Sequence, residues 1–138
     1  MPLRALALQV LLLRAAGASC TGASSSLDAA DCTAWQAGFD AMNGTGWTHC
    51  SDKRLDPCGC SDSYRIVTCS GGRITYVSLY SNKLAGTLAP EWSSMTQVTH
   101  MELYNNQLTG SLPPEWSSMT QVTHMQLQGN QLSGSLPP

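Results

Sequence analysis

The chain has 138 residues, about one domain's worth. Seven Lys+Arg against nine Asp+Glu give a formal charge of −2, and 12% of residues are charged. That balance excludes a basic nucleic-acid binder and a highly charged disordered tail, while six Cys in so short a chain point to an oxidising compartment. No apolar run approaches the roughly 20 residues of a membrane-spanning helix. Met1 to Ala18 is laid out as a secretory leader: Arg4, an apolar stretch from Ala5 to Leu13 broken by Gln9, then the small residues Ala16-Gly17-Ala18. The rival reading is a buried helix of the fold. With the leader assigned to residues 1–18, residues 19–30 are expected to be a disordered lead-in.

A helix is expected next, N-capped by Asp31, beginning at Cys32 and ended by Gly44. Trp35, Phe39 and Met42 recur at i, i+4 and i+7, one helical face. Asn43-Gly44-Thr45 is a glycosylation sequon at the helix end, where a surface position is expected. A Cys-rich stretch follows. Cys50, Cys58, Cys60 and Cys69 read alternatively as zinc ligands, but they lack paired CxxC spacing, and a secretory leader argues for disulfides instead. The sequence alone leaves the pairing open.

The rest of the chain repeats. Leu79, Leu103 and Leu127 are 24 residues apart, and Pro90–Met101 recurs unchanged as Pro114–Met125. The registers are 74–97, 98–121 and a partial 122–138, a period that marks a solenoid. In VTHMELYNN, Val98, Met101 and Leu103 are expected to point inward. His100, Glu102 and Tyr104 then share the opposite strand face. Stacking places Asn82, Asn106 and Asn130 in one ladder, each able to bond backbone groups where the chain leaves the strand. Leu108 and Leu112 refill the core, Gly110 permits a tight path, and Pro113-Pro114 favours an extended or 3₁₀ return. Trp92 and Trp116 read as core. One repeat cannot offset its own ordering entropy, so repeats must stack and the stack needs caps.

The consensus LxxLxLxxNxLxGxLPPxWxxMxx resembles the plant-type, 24-residue extracellular leucine-rich repeat. Asp56-Pro57-Cys58 and Ile66-Val67-Thr68-Cys69 resemble that family's Cys-rich N-terminal cap, with Arg65 departing from its Gly. The resemblance covers about residues 31–138. It implies an α/β leucine-rich repeat solenoid, a right-handed superhelix with parallel strands on the concave face and extended or 3₁₀ segments on the convex side. A helical, disulfide-bonded cap over 31–73 precedes the repeats over 74–138. It also implies the disulfides Cys60–Cys69 and Cys32–Cys58, with Cys50 paired to Cys20 or free. The Leu-Pro-x-x-Trp-Ser-Ser-Met variant resembles kinetoplastid surface-antigen repeats.

Nucleophile elbows, phosphate-cradling Gly loops, HExxH and paired carboxylates are all missing from the sequence, so an enzyme, a cofactor and a metal site are not expected. A ligand would meet the concave columns Tyr76/His100/His124, Ser78/Glu102/Gln126 and Tyr80/Tyr104/Gln128. Tyrosine offers large contact area with a polar tip, which suits an extracellular protein, peptide or glycan better than nucleic acid or membrane. His100 and His124 read more simply as repeat-copied surface residues than as a metal or pH-sensitive pair. The leading expectation is a non-catalytic recognition or adhesion module, secreted or on the cell surface. The alternatives are the ectodomain of a receptor kinase and a secreted hydrolase inhibitor. Leu127, Leu132 and Leu136 would line an open core edge, through which self-association is expected.

Overall fold

The computed structural model describes residues 18–134. All of the expected leader but Ala18, and Leu136 of the expected open edge, lie outside that range. Helix α1 spans Ala29–Ala41. Its N-cap is Asp28, whose carboxylate accepts from the backbone N–H of Ala30 (2.9 Å) and Asp31 (3.3 Å). This corrects the expectation that Asp31 is the cap. Asp31 lies in the first turn, fully buried, and its carboxylate is claimed elsewhere. Arg73 donates to it through Nε (3.0 Å) and Nη2 (2.9 Å), and the Ile74 N–H adds a third bond at 2.8 Å. Arg73 also reaches the Ser94 carbonyl and Thr96 hydroxyl, so one guanidinium ties helix, first strand and first return segment together.

Residues 19–30 are ordered, contrary to expectation. Gly22–Ser24 forms a 3₁₀ turn. Ser24 donates to Asp56 through its N–H (3.0 Å) and hydroxyl (2.8 Å) and accepts from the Cys58 N–H (2.8 Å). Thr21 donates its N–H to Leu55, and Asp28 to Gly72. The segment has no apolar pattern to betray this; it is held by polar bonds to residues far along the chain, by the Cys20–Cys32 disulfide and by Leu27 against the core. The disulfides differ from those implied by resemblance as well. They are Cys20–Cys32, Cys50–Cys60 and Cys58–Cys69. Cys20 folds back onto the first turn of α1 and takes Cys32. Cys50, with φ +63, turns into the core against Cys60, which leaves Cys58 facing Cys69 on the neighbouring strand.

Two sheets carry the repeats. The larger has the order β1 (Ser61–Asp62), β2 (Arg65–Ser70), β3 (Arg73–Ser78), β5 (His100–Glu102), β7 (His124–Gln126). The cap strands β1 and β2 are antiparallel, and β3, β5 and β7 are parallel. The smaller is parallel: β4 (Ala85–Thr87), β6 (Gln107–Ser111), β8 (Gln131–Ser133). It is absent from the sequence reading, because each repeat gives it only a short polar stretch around a Gly. Gly86 and Gly110 occupy equivalent places with φ of +97° and +78°, conformations that a side chain would strain. Pro90–Ser94 and Pro114–Ser118 are the 3₁₀ returns, stacked on one another, with α1 against the first.

The core runs through cap and repeats without a break. Val77, Leu79, Leu84, Met95, Val98, Met101, Leu103 and Leu108 are buried along the repeats. Trp92 and Trp116 are core, and they belong to a ladder. Trp35 of α1 stacks on Trp92 (5.9 Å, 12°) and Trp92 on Trp116 (6.2 Å, 9°), while Trp47 meets Trp35 edge-on. The Asn side chains form a second ladder. Asn106 Oδ1 accepts from the N–H of Asn82 (2.9 Å) and Leu84 (3.0 Å), and its amide donates to the carbonyls of Leu79, Leu103 and Tyr104. Asn130 repeats this toward Leu108 and Leu103. Asn82 does the same toward the cap, through both His49 backbone groups. Each Asn thus satisfies backbone groups one coil back, which locks the coils in register.

Candidate functional site

Strand pairing sets the geometry of the concave face. Tyr76 pairs with His100 and His100 with His124; Ser78 pairs with Glu102 and Glu102 with Gln126. Tyr80 and Tyr104 stack at 4.8 Å with ring planes 5° apart. Gln128 follows at the end of that column, where its carbonyl accepts from the Asn105 N–H. His100 and His124 stack at 4.3 Å and 7°, and Tyr76 tilts onto His100 at 5.5 Å. The nine side chains expected to line this face are therefore brought together in three columns.

Ser78 departs from expectation. It is buried, not solvent-facing, because Glu102 lies over it. Its hydroxyl donates to Glu102 Oε2 (2.8 Å), while the Tyr76 phenol donates to Oε1 (2.9 Å). Burial, then the hydrogen bond to the Glu102 carboxylate, pushes the Tyr76 phenol above its ordinary pKa. Tyr76 is therefore a donor throughout the physiological range.

Each imidazole rests against the hydroxyl of the threonine before it. Thr99 donates its one hydroxyl proton to the Thr75 carbonyl (3.1 Å), so in its 2.9 Å contact with His100 the hydroxyl accepts and the ring presents Nδ1–H. Thr123 treats His124 the same way, through its bond to the Thr99 carbonyl. Among the described residues, no group of three or more His, Cys, Asp or Glu is arranged to hold a metal ion.

The cap supplies a wall that the sequence reading missed. Hairpin β1–β2 extends the concave sheet beyond β3 and closes a cleft of about 440 Å³ over Tyr76, Ser78, Tyr80 and Glu102. Its walls include Asp62, Tyr64 and Arg65. Arg65 lies over the Tyr80 ring, 4.4 Å from its centre, and donates to the carbonyls of Tyr80, Ser63 and Ser81 at 2.8 Å each. Asp62 is held 2.9 Å from His49, whose hydrogen bond draws its carboxyl below the ordinary value. Ser63 and Tyr64 form the hairpin turn with φ of +50° and +71°, and Tyr64 is 86% exposed at the rim. Two-residue hairpin turns usually announce themselves with Asn or Gly; Ser-Tyr gives no such signal. Gly71-Gly72 between β2 and β3 does, and it is the mark from which the antiparallel wall can be read.

The fold is that of a leucine-rich-repeat ectodomain. A leucine-rich repeat family model matches residues 97–119. Among solved structures, the leucine-rich-repeat ectodomain of the receptor kinase SOBIR1 from Arabidopsis thaliana is 25% identical, with TM-score 0.65, covering 80% of this chain and 59% of that one. The BIR3–SERK2 complex from the same plant contains a chain 24% identical, with TM-score 0.60, covering 80% of this chain and 60% of that one. A plant ice-binding protein shares the fold at 18% identity and TM-score 0.53, covering 82% of this chain and 44% of that one. This chain thus spans less than two thirds of each. No curated protein sequence matches it.

Proposed function

We propose that this protein is a non-catalytic extracellular recognition module that binds a protein or peptide through the concave face. The observation that carries this reading is the face itself. Stacked Tyr80/Tyr104, the Tyr76/His100/His124 column and Glu102 form a continuous aromatic and polar surface beside a cleft. Such surfaces offer contact area at low entropy cost. Three disulfides and the leader-like N-terminus support an extracellular site of action. The Leu-Pro-x-x-Trp-Ser-Ser-Met repeats favour a surface antigen, and Asn43, exposed with Thr45 at the end of α1, is the proposed glycosylation site.

The experiment presents the purified protein to a panel of surface proteins and peptides, with Tyr104→Ala, Glu102→Ala and Glu115→Ala compared. Loss of binding at Tyr104 and Glu102, with none at the exposed return-segment residue Glu115, is the expected result. Indifference to all three sinks the reading. A second reading, the ectodomain of a receptor kinase, is favoured by the likeness to the SOBIR1 ectodomain. A transcript that continues into a membrane span and kinase motifs would decide for it.

A further inference from the structure

We propose, resting on the concave-face reading above, that the cleft beside the cap hairpin takes the side-chain cation of a lysine or arginine in an extended peptide. The argument begins at Glu102. Its carboxylate is half-buried on the cleft floor, with one hydroxyl donor on each oxygen, from Tyr76 and Ser78. Hydroxyl donors orient a carboxylate without neutralising it, and each oxygen keeps acceptor capacity. Among the described residues, no Lys, Arg or His nitrogen forms an ion pair with Glu102.

The nearby cation is committed elsewhere. Arg65 spends three donors on backbone carbonyls and lays its guanidinium on Tyr80. The cleft has a second carboxylate, Asp62, but it is bonded to His49, which leaves Glu102 as the unpaired one. Tyr76 and Tyr64 line the cleft beside Glu102, and aromatic faces attract cations as carboxylates do; Tyr80, already held between Arg65 and Tyr104, fixes the wall. An anionic group on the cleft floor would meet the Glu102 carboxylate, with the Arg65 donors already spent. The charge occurs once in its column, between Ser78 and Gln126, so the site is a point and not a stripe. The cleft opens onto the Tyr80/Tyr104 stack, a path along which an extended chain can run. Tyr64, exposed on its turn at the rim, is placed to close over an aliphatic stem.

The test titrates ¹⁵N-labelled protein with N-acetyl-tetralysine amide, its Nε-acetylated analogue, tetraglutamate and a neutral Gly-Ser peptide, followed by NMR. Tetralysine is expected to shift Tyr64, Tyr76, Tyr80 and Glu102. Nε-acetylation, which removes the charge without touching the protein, is expected to abolish the effect. Glu102→Gln should weaken binding about five-fold, the size of a solvent-accessible charge pair worth about 1 kcal/mol. Tyr64→Ser should weaken it less. Equal binding of the acetylated peptide, or shifts centred on Glu91 and Glu115, overturns the proposal. If neutral or acidic peptides shift the concave residues as strongly as tetralysine, the cation anchor fails while the concave-face reading stands. If no peptide shifts them, the cation anchor fails, and the concave-face reading is decided by the protein panel and its three variants.

Discussion

Trp92 shows how a repeat residue adapts where the repeats meet the cap. Trp116 donates its indole N–H to the Ala89 carbonyl one coil back, at 2.8 Å. Trp92 occupies the same place one repeat earlier, but α1 stands where the preceding coil would be. The carbonyls of a helix are spent on its own turns, and among the described residues the Trp92 Nε1 has no partner. An orphaned buried donor costs roughly 1–3 kcal/mol, here offset by stacking between Trp35 and Trp116. Gly38 makes that stacking possible, since a Cβ there would overlap the indole nitrogen and the ring carbons beside it. Gly38→Ala improves intrinsic helix propensity by about 1 kcal/mol, yet overpacking a rigid ring costs about 1–3 kcal/mol or more. The packing cost wins, because the ring is held on both faces and cannot retreat. The variant should be destabilised by roughly 2 kcal/mol in urea unfolding followed by near-ultraviolet circular dichroism. Gly71→Ala is the control. A Cβ there meets nothing within 4 Å, so only the strain of φ +58°, about 1–2 kcal/mol, applies. A Gly38→Ala protein as stable as the parent would mean the ring and helix are not in this contact.

At the scale of elements, the cap and the repeats are held by different physics. The repeats are bound by periodic side chains, the cap by three short covalent loops with separations of 12, 10 and 11 residues. Chain-entropy reasoning assigns each loop about 3 kcal/mol. The three should still differ in effect. Cys50 and Cys60 are buried in the core, so the double change to Ser adds two buried hydroxyls to the lost loop constraint. Of the pair Cys20–Cys32 only Cys32 is buried, so that double change adds one buried hydroxyl, and its loop fastens only the lead-in to α1. The Cys50→Ser/Cys60→Ser protein should therefore melt below the Cys20→Ser/Cys32→Ser protein, and non-reducing peptide mapping should recover the three observed pairs. The reverse order of melting would place Cys50 outside the core. This contrast also explains what could be read in advance. The strand columns, the Asn ladder and the Trp35/Phe39/Met42 face follow from spacing in the chain, because a stacked repeat converts a period of 24 into a neighbour in space. Cys partners, the burial of Asp31 by Arg73 and the order of residues 19–30 depend on where a distant segment returns, and no local pattern records that. The cleft was hidden for the same reason. Its floor lies in the repeats, and its wall is a hairpin turned on Ser63-Tyr64, a pair that carries no turn signature.

The whole molecule behaves as a stack in which each coil depends on the next. Val98, Met101, Leu103 and Leu108 of the middle coil are buried, covered on both sides. Their counterparts Val122, Met125, Leu127 and Leu132 are only half-buried, packed against the core from one side. In a quasi-one-dimensional solenoid, stability is a sum of intrinsic coil energies and interfaces between neighbours. Inserting one further copy of residues 98–121 after Gln121 adds one coil and one interface. The added coil covers the outermost described layer, and that layer's half-buried state passes to the copy beyond it. Ordering 24 residues costs about 1–2 kcal/mol each for the backbone. Several apolar side chains buried at roughly 1.5–3 kcal/mol apiece, together with a repeated Asn ladder and another rung of Trp stacking, oppose that cost. The duplication of Pro90–Met101 as Pro114–Met125 shows that this surface accepts itself as a neighbour. The inserted protein should melt higher in a single transition, with slower amide exchange in the coil that was outermost. The Tyr80/Tyr104 column would gain a third ring, lengthening the concave face without altering the cleft at the cap. A lower melting temperature, or two separate transitions, would mean that the coils are held mainly by the disulfide-bonded cap and not by each other. Recognition would then be confined to the cap end, where Glu102 and the hairpin meet.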